Sequence, residues 1–360
     1  MRYLISGGGT GGHIFPAISI ANALRELDSE ADILFVGALG RMEMERVPQA
    51  GYSIVGLPIR GFDRQHWLRN IGIVFDLLRS LHRARGIIRS FRPDVAVGVG
   101  GYASGAAMKV AAWMKVPIVL QEQNGFAGVT NKLLRNDAER ICVAYEGMEK
   151  FFPKDKLILT GNPVRQNLVD GKRVETGRKT LLVIGGSLGA RTLNEAMMAH
   201  LDQLLCAGVD IVWQTGKLYY DHCMQFVQEK INKKGLSILP FLSDMPDRYA
   251  QADLVISRAG ASSISEICML GKASVLVPSP NVAEDHQTHN AMALVNRHAA
   301  VLVKDTDAKE HLIDTALTLL QDDEQLQTLG RNARAMAQNG SAERIAREVI
   351  ALAQSTRSCR

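Results

Sequence analysis

The chain has 360 residues, more than one ordinary hydrophobic core holds, so two domains are expected. Its 46% hydrophobic and 22% charged residues are typical of a soluble globular protein. The longest uncharged stretch is interrupted by "GGGTGG", which excludes a membrane-spanning helix, and no signal peptide is expected before the first strand. Five scattered cysteines argue against a disulfide framework and a zinc site, and fit a cytoplasmic protein.

The net charge of +5 is concentrated in one segment. Residues 59–92 contain eight arginines against two acids, a net charge of about +6, and the rest of the chain is close to neutral. A local positive segment predicts a local anionic partner and disfavours general binding of nucleic acid.

The first half alternates short apolar strands with helices of 3.6-residue periodicity. Strands are predicted at Tyr3–Ser6, Asp32–Gly37, Ser53–Leu57, Val95–Gly98, Ile118–Gln121 and Arg140–Ala144. Helices are predicted at Ile14–Leu27, Asn70–Arg89 and Gly105–Met114. Alternation of this kind implies a parallel sheet covered by helices on both faces.

A second series of strands and helices begins at "KTLLVIGGSLGARTLNEAM" and continues through "DIVWQTG", "LSILPF", "DLVISRAG" and "ASVLVPSP". The sequence therefore predicts an α/β protein with two Rossmann-like parallel-sheet domains that face one another across a cleft. The predicted parts are residues 1–160, residues 161–340, and a C-terminal helix within 341–360 that packs back on the first domain. Ser341 is the expected N-cap of that helix.

Glycine-rich turns follow the first strand of each half. Gly7, Gly9 and Gly12 fit G-x-G-x-x-G, which in a dinucleotide-binding domain is accompanied by an acid at the end of the second strand. Here the second strands run into Gly37 and Thr215, so binding of NAD(P) is disfavoured. Bare glycine backbone instead lets N–H groups approach phosphate and sugar.

The stretch "SRAGASSISEICMLGKASVLVPSP" places a helix start directly after a strand. Ser262 or Ser263 is expected to cap this helix, whose N-terminus favours a phosphate anion. Glu266 would suit the two hydroxyls of a ribose, or is an ordinary acid of the first helical turn. Further along, "AEDHQTHNA" sets Asp285, Gln287 and Asn290 within reach of a sugar.

Seven motifs occur in one order along the chain: "GGGTGGHIFPA", "GGYASG", "QEQNGFAGVTNK", "GNPVR", "GGSLGAR", "SRAGASSISE" and "DHQTHNA". Together they resemble the MurG family, the UDP-N-acetylglucosamine–lipid I N-acetylglucosaminyl transferases of peptidoglycan synthesis. The resemblance implies a GT-B fold, a C-terminal domain that holds the UDP-sugar and an N-terminal domain that holds the acceptor. It also implies a peripheral enzyme on the cytoplasmic face of the bacterial inner membrane, acting in cell-wall biogenesis without a cofactor.

The resemblance further implies individual contacts. For the donor these are Thr10, Gly11, Gly12, Asn124, Arg165, Ser187, the backbone at Leu242, Ala261, Ser262, Ser263, Ile264, Ser265, Glu266 and Gln287. For the acceptor they are Gly101, Tyr102 and Asn131.

The implied reaction is an inverting transfer to the C4 hydroxyl of N-acetylmuramic acid, which needs a general base and stabilisation of the leaving UDP. His13 is the candidate base, although a lone histidine is often a structural hydrogen-bonding residue. Glu122 is the competing base, or a carboxylate paired with Lys132.

An Asp-x-Asp at residues 305–307 raises the question of a catalytic metal, because some glycosyltransferases bind one through this pattern. Asp307 followed by Glu310 is better interpreted as the N-cap and third residue of a helix. No catalytic metal is therefore predicted.

The arginine-rich segment 66–91 also carries more apolar side chains than one helix face holds. The ordinary interpretation is a core helix with a solvated basic face. The alternative, favoured here, is a patch that enters an anionic phospholipid surface. Its predicted members are Trp67, Leu68, Ile71 and Phe75, with Trp113 and Met114 as neighbours.

Two other functions compete with the transferase. A UDP-N-acetylglucosamine 2-epimerase would share the fold and the nucleotide, but would leave the basic apolar segment and "GGYASG" without a role. A non-catalytic UDP-sugar-binding regulator would bind the nucleotide without turnover.

Overall fold

Two α/β units make up the chain in the computed structural model, which describes residues 1–61, 71–164, 166–174, 176–186, 188–230, 234–282 and 285–358. Unit 1 combines Met1–Arg165 with Gln338–Arg360, and unit 2 is Gln166–Ala337. The chain therefore leaves unit 1, completes unit 2 and returns to unit 1.

Unit 1 is built on a parallel sheet. Its strands are β1 (Arg2–Gly7), β2 (Asp32–Ala38), β3 (Ser53–Leu57), β4 (Val95–Gly100), β5 (Ile118–Glu122), β6 (Arg140–Val143) and β7 (Leu157–Leu159), in the spatial order β3-β2-β1-β4-β5-β6-β7. Its first helices are α1 (Gly11–Leu27), α2 (Glu43–Gln49), α3 (Ile71–Phe91), α4 (Tyr102–Trp113) and α5 (Val129–Leu134). Successive residues of β1 enter different cores, Leu4 on one face and Ile5 on the other, which explains its continuous apolar sequence.

Unit 2 repeats this plan. Its strands are β8 (Thr180–Ile184), β9 (Asp210–Gln214), β10 (Leu236–Leu239), β11 (Leu254–Ser257), β12 (Ala273–Leu276) and β13 (Val301–Leu302), in the parallel order β10-β9-β8-β11-β12-β13. Its helices are α6 (Arg191–Ala199), α7 (Leu201–Cys206), α8 (Tyr220–Gln228), α9 (Met245–Gln251), α10 (Ala261–Leu270), α11 (His286–Val295), α12 (Ala308–Leu320) and α13 (Asp323–Ala335). Trp213 is fully buried in its core, and its indole N–H donates to Asn194 Oδ1 at 2.9 Å.

The last helix, α14 (Ser341–Ser358), packs against α1 in unit 1. Its fully buried Ile345 and Val349 belong to the same apolar cluster as Ile14 and Ile20. Ser341 is not the N-cap that the sequence predicts, because the helix begins at this residue. Its hydroxyl donates to the Gln338 carbonyl oxygen at 2.7 Å.

The predicted α/β class with two Rossmann-like parallel sheets is confirmed. Helix starts are less well predicted: α1 begins at Gly11 rather than Ile14, and α4 at Tyr102 rather than Gly105. The earlier start makes Pro16 an interior residue of α1, where it cannot donate to the carbonyl of Gly12. Within the described ranges, no helix has the length and apolar character needed to cross a membrane.

Candidate active site

The candidate residues of unit 1 lie at the carboxyl ends of three adjacent strands, β1, β4 and β5. Thr10, Gly11, Gly12 and His13 follow β1, Gly101 and Tyr102 follow β4, and Glu122, Asn124 and Asn131 end or follow β5. Ligands of open parallel sheets bind at this edge, beside the point where the strand order reverses. The structure therefore gathers all nine on one edge of one sheet.

The loop after β1 is held close to the end of β4 by bare backbone. Gly8 N donates to the Gly100 carbonyl oxygen at 3.3 Å. A Cβ at Gly101 would lie 2.5 Å from the Gly8 carbonyl oxygen, and one at Gly8 would lie 2.1 Å from a carboxylate oxygen of Glu43. These glycines are required by close packing on both sides of the loop.

His13 is oriented by this loop. Its Nδ1 lies 3.1 Å from the Gly8 carbonyl oxygen and 3.3 Å from the Thr10 hydroxyl. Because a carbonyl oxygen can only accept, Nδ1 carries the proton of the neutral ring and Nε2 is the basic nitrogen. The ring packs on Gly100, where an added Cβ would lie 2.8 Å from Nε2.

Glu122 has a different environment and is only 2% exposed. Its two carboxylate oxygens accept from the backbone and side-chain nitrogens of Asn124 at 3.2 and 3.3 Å, from Gly128 N at 3.0 Å and from Asn131 Nδ2 at 2.9 Å. The Lys132 ammonium, its predicted alternative partner, lies 4.9 Å from the centre of the Phe126 ring. These contacts make Glu122 an anchor of the loop after β5.

Asn131 presents a buried acceptor. Its Nδ2 donates to Glu122 and to the Gln121 carbonyl oxygen at 3.1 Å, so the orientation of the amide is determined. Its Oδ1 is buried, with no hydrogen-bond partner in the described part of the chain. An unsatisfied buried acceptor is costly, and a donor on a ligand would satisfy it.

In unit 2, the helix start after β11 differs from its prediction. Helix α10 begins at Ala261, with Gly260 as the preceding residue, so Ser262 and Ser263 lie inside its first turn instead of capping it. The Ser262 hydroxyl is buried and has no partner among the residues that the structure describes. Ser265 donates to the Ala261 carbonyl at 2.9 Å. The Ile264 side chain is in the core and its backbone N–H donates to the Gly260 carbonyl at 3.0 Å, so the N–H groups of the first turn, at Ala261, Ser262 and Ser263, precede it.

Glu266 is the sixth residue of α10 and therefore lies beyond the first turn, which removes the interpretation of an ordinary first-turn acid. The residue is 8% exposed, and its carboxylate accepts from the Tyr249 hydroxyl at 3.1 Å. Tyr249 is a site residue that the sequence did not reveal. Its phenol holds one carboxylate oxygen in place.

The remaining donor candidates follow β10 and β12: Leu242 lies on the loop after β10, and Gln287 and Asn290 lie in α11, directly after Asp285. Gln287 Oε1 accepts from Ser279 N at 2.9 Å, and Asn290 Nδ2 donates to the Ala259 carbonyl at 3.3 Å. Asp285 accepts from the Thr288 hydroxyl at 2.7 Å. The Leu242 side chain is buried, so only its backbone can contact a ligand.

A buried amide at the end of β9 holds the glycine turn of unit 2. Gln214 Oε1 accepts from Gly185 N at 2.9 Å, and its Nε2 donates to the Gly186 carbonyl at 2.8 Å. Gln214 occupies the place where a dinucleotide-binding domain carries an acid, and here it orders the turn instead.

Two family models match the chain: the glycosyltransferase family 28 N-terminal domain over residues 3–143, and the C-terminal domain of the same family over residues 180–347. The chain belongs to glycosyltransferase family 28. It is a glycosyltransferase, and the resemblance to the MurG family is confirmed.

Similar proteins match the chain over nearly its whole length. A Bacteroides fragilis protein named UDP-N-acetylglucosamine--N-acetylmuramyl-(pentapeptide) pyrophosphoryl-undecaprenol N-acetylglucosamine transferase is 56% identical over 98% of this chain and 96% of its own length. The crystal structure of Acinetobacter baumannii MurG has a TM-score of 0.77 and 27% identity, over 97% of this chain and 99% of that one. A UDP-N-acetylglucosamine 2-epimerase structure has a TM-score of 0.67 and 11% identity, over 97% and 95% of the two chains, and shows the fold alone.

The Asp-x-Asp of this family 28 chain is engaged in structural contacts. Asp305 pairs with Arg258 and accepts from the Thr192 hydroxyl at 3.0 Å. Asp307 precedes α12 as predicted, but its side chain makes no capping hydrogen bond.

Some predicted residues cannot be placed. Arg165, Ser187, Trp67 and Leu68 lie outside the described residues, as does the side chain of Ile71. Of the predicted membrane patch, Phe75 on α3 is 65% exposed. Of its two predicted neighbours, Trp113 on α4 is 62% exposed, whereas Met114 is half-buried and packs against the core.

Proposed function

We propose that this family 28 enzyme transfers N-acetylglucosamine from UDP-N-acetylglucosamine to the C4 hydroxyl of N-acetylmuramic acid in lipid I, giving lipid II with inversion at the anomeric carbon. The observation that carries the proposal is the 56% identity, over nearly the whole chain, to a transferase whose name states this donor and this acceptor. The site geometry supports it, because one sheet edge of each unit presents polar groups suited to a sugar or a phosphate.

We assign the general base to His13. Its Nδ1 proton is donated to the Gly8 carbonyl, which leaves Nε2 as the nitrogen that can take the proton of the attacking hydroxyl. Glu122 is the weaker candidate, because four donors already occupy its two oxygens and a proton would have to displace one of them.

We assign the donor to unit 2. The start of α10 offers backbone N–H groups and the buried Ser262 hydroxyl to the diphosphate. Glu266, held by Tyr249, would accept both hydroxyl protons of the ribose. Gln287 keeps its Oε1 on Ser279 N, so Nε2 is the atom of this amide that would reach the N-acetylglucosamine.

We further propose that the enzyme is peripheral to the cytoplasmic face of the inner membrane. Exposed Val74, Phe75 and Leu78 lie on α3 among its arginines, and Trp113 is exposed on the neighbouring α4. Apolar groups that enter the interface beside cations are the pattern of a monotopic surface for anionic phospholipid.

The test incubates the full chain with UDP-N-acetylglucosamine and a short-chain lipid I analogue, and measures UDP release together with product mass. Release of UDP with one N-acetylhexosamine added to the lipid analogue is expected. Turnover of the nucleotide sugar without a lipid product would indicate an epimerase, and tight binding without turnover would indicate a regulator. Either of the latter outcomes would overturn the proposal.

A further inference from the structure

Glu43, the first residue of α2, is a fully buried acid that the transfer reaction described above does not use. One of its oxygens accepts from Gly9 N at 2.9 Å and the other from Ala38 N at 3.0 Å. The carboxylate is enclosed by glycine backbone: an added Cβ would lie 2.1 Å from Oε1 at Gly8 and 2.6 Å from Cγ at Gly37. A buried acid in so tight a pocket is costly unless its charge has a partner or a use.

The two contacts of the Gly8–Gly9 peptide link this acid to His13. The N–H of that peptide, on Gly9, donates to Glu43, and its C=O, on Gly8, accepts from His13 Nδ1 at 3.1 Å. Carboxylate, peptide group and imidazole thus form one hydrogen-bonded chain. The peptide is held in place by Gly8 N, which donates to Gly100, and by Gly101, whose missing Cβ leaves room for the Gly8 carbonyl.

We propose that Glu43 is a positioning residue that acts on His13 through the Gly8–Gly9 peptide, a role that rests on the proposed function of His13 as the base. A carboxylate on the N–H of a peptide polarises the group and makes its carbonyl a stronger acceptor. The carbonyl then holds the Nδ1 proton more firmly and favours the imidazolium that forms when Nε2 takes a proton. In hydrolytic triads, an acid that is hydrogen-bonded directly to the histidine orients it in the same way. Here a peptide group lies between the acid and the histidine.

Other charged groups lie around α1, on the elements that pack against it or at the same sheet edge. On α2, Glu45 is exposed and accepts from Gln49 at 3.3 Å. At the start of α14, Glu343 pairs with Arg347, and Arg344 donates to the Thr160 carbonyl at 2.7 Å. Beyond β4, Tyr102 is exposed at the start of α4, and Glu122 carries the four donors described above.

The test is an ¹⁵N NMR titration of the imidazole of His13 in the full chain and in Glu43→Gln. The wild-type ring is expected to be the Nδ1–H tautomer. Loss of the buried negative charge should lower the proton affinity of His13 about threefold or more. Glu45→Gln, two residues further along α2 and exposed, is the matched control and should leave the titration unchanged. An unchanged His13 titration in Glu43→Gln would overturn the proposal.

A second measurement needs no variant, in case Glu43→Gln does not fold. In the wild-type protein the amide resonance of Gly9 should titrate with the same midpoint as the ring of His13, because both belong to one hydrogen-bonded chain. The Ala38 amide, on the other oxygen of Glu43, should move in the same titration by a smaller amount. A Gly9 amide that stays constant while His13 titrates would overturn the link.

Kinetics separate this proposal from the assignment of the base. If His13 is the base, Glu43→Gln should move the acid limb of the kcat/KM profile to lower pH, by the same amount as the NMR titration, and lower the plateau about tenfold. A shifted NMR titration with an unmoved kinetic limb would support the link to Glu43 and overturn the assignment of His13 as base.

Discussion

His13 and Glu122 both lie at the carboxyl edge of the first sheet, and they differ in what their polar atoms already contact. His13 uses Nδ1 to hold its orientation, which leaves proton transfer to Nε2. Glu122 uses both oxygens to hold the loop after β5. A group whose lone pairs are taken up by backbone donors contributes to the shape of a site more than to its proton transfers.

This difference predicts opposite behaviour for two variants. His13→Ala should fold normally and lose about 100-fold or more in kcat, because the base is removed. Glu122→Gln should lower the free energy of unfolding by about 1–3 kcal/mol. The substitution replaces one carboxylate oxygen by an NH₂ group, which cannot accept hydrogen bonds from the N–H groups that now donate to that oxygen. Steady-state kinetics and urea unfolding of both variants measure this. If Glu122→Gln were as stable as the wild type but lost kcat, while His13→Ala kept its activity, Glu122 and not His13 would be the base.

The buried carboxylate of Glu266 predicts discrimination at the ribose. The wild-type enzyme should bind UDP about tenfold or more tightly than 2′-deoxy-UDP, because a charged acceptor would lose one hydroxyl partner. Glu266→Gln should reduce that ratio towards one, as measured by competition against the donor. Glu310→Gln, an exposed acid in the first turn of α12, is the control and should preserve it. Equal ratios in the wild type and Glu266→Gln would remove Glu266 from the ribose site.

Residues of the site divide into those visible in the sequence and those that only the fold reveals. Glycine turns and polar residues after strands form local patterns in the sequence. The family resemblance points to most of those polar residues as candidate ligand contacts. Glu43, Gln214 and Tyr249 belong to no such pattern. The roles of Glu43 and Gln214 depend on which strands lie side by side, β2 beside β1 and β9 beside β8, and sequence spacing does not specify this. The role of Tyr249 depends on the contact of α9 with α10, which precede and follow β11 in the chain.

At the scale of single elements, α3 and α4 carry the described residues of the proposed membrane patch. Phe75→Ser with Trp113→Ser should reduce flotation with anionic vesicles about tenfold or more, since apolar insertion and charge act together. High salt should reduce it further. Leu218→Ser is the control, an apolar residue of unit 2 that is 77% exposed. Equal flotation of the double variant and the wild type would show that this patch does not bind the surface.

The cysteine at the end of α7 is expected to react faster with thiol reagents than the buried cysteines of the other elements. Burial raises the pKa of Cys142 and Cys268 to about 12 and that of Cys223 to about 11, whereas Cys206, at the end of α7, is exposed. In a Cys359→Ser background, a thiol reagent at pH 8 should modify Cys206 first, because the thiolate is the reactive form. At pH 10 a thiol of pKa 12 is still only about 1% ionised, so Cys142 and Cys268 should stay protected until denaturant is added. Fast labelling of Cys142 in the native protein would contradict this.

Element identities followed from the sequence more readily than element boundaries. Alternating apolar strands and periodic helices are local signals, and Ser53–Leu57 was predicted to the residue. The starts of α1 and α4 were missed because Gly11, Gly12 and Tyr102 do not look like a first helical turn. Packing at the sheet edge brings these residues into helix despite weak local preference.

At the scale of the whole molecule, α14 completes the core of unit 1. Ile345→Ala should lower the free energy of unfolding of that unit by about 2–5 kcal/mol, because the side chain is fully buried. Hydrogen exchange should then accelerate at α1 and remain unchanged at β8. Ala351→Lys, at an exposed position of the same helix, should change stability by less than about 0.5 kcal/mol. Faster exchange throughout unit 2 would contradict the division into two units.

The return of the chain to unit 1 has a consequence for biosynthesis. The ribosome completes all of Gln166–Ala337 before it makes α14, so unit 2 can fold as an insertion while unit 1 is still incomplete. Until α14 emerges, the apolar cluster that Ile14 and Ile20 share with Ile345 and Val349 is incomplete, and a nascent chain stalled before that point exposes part of it to chaperones and proteases. Truncated products should therefore be degraded from the N-terminal unit first, even though that unit is translated first.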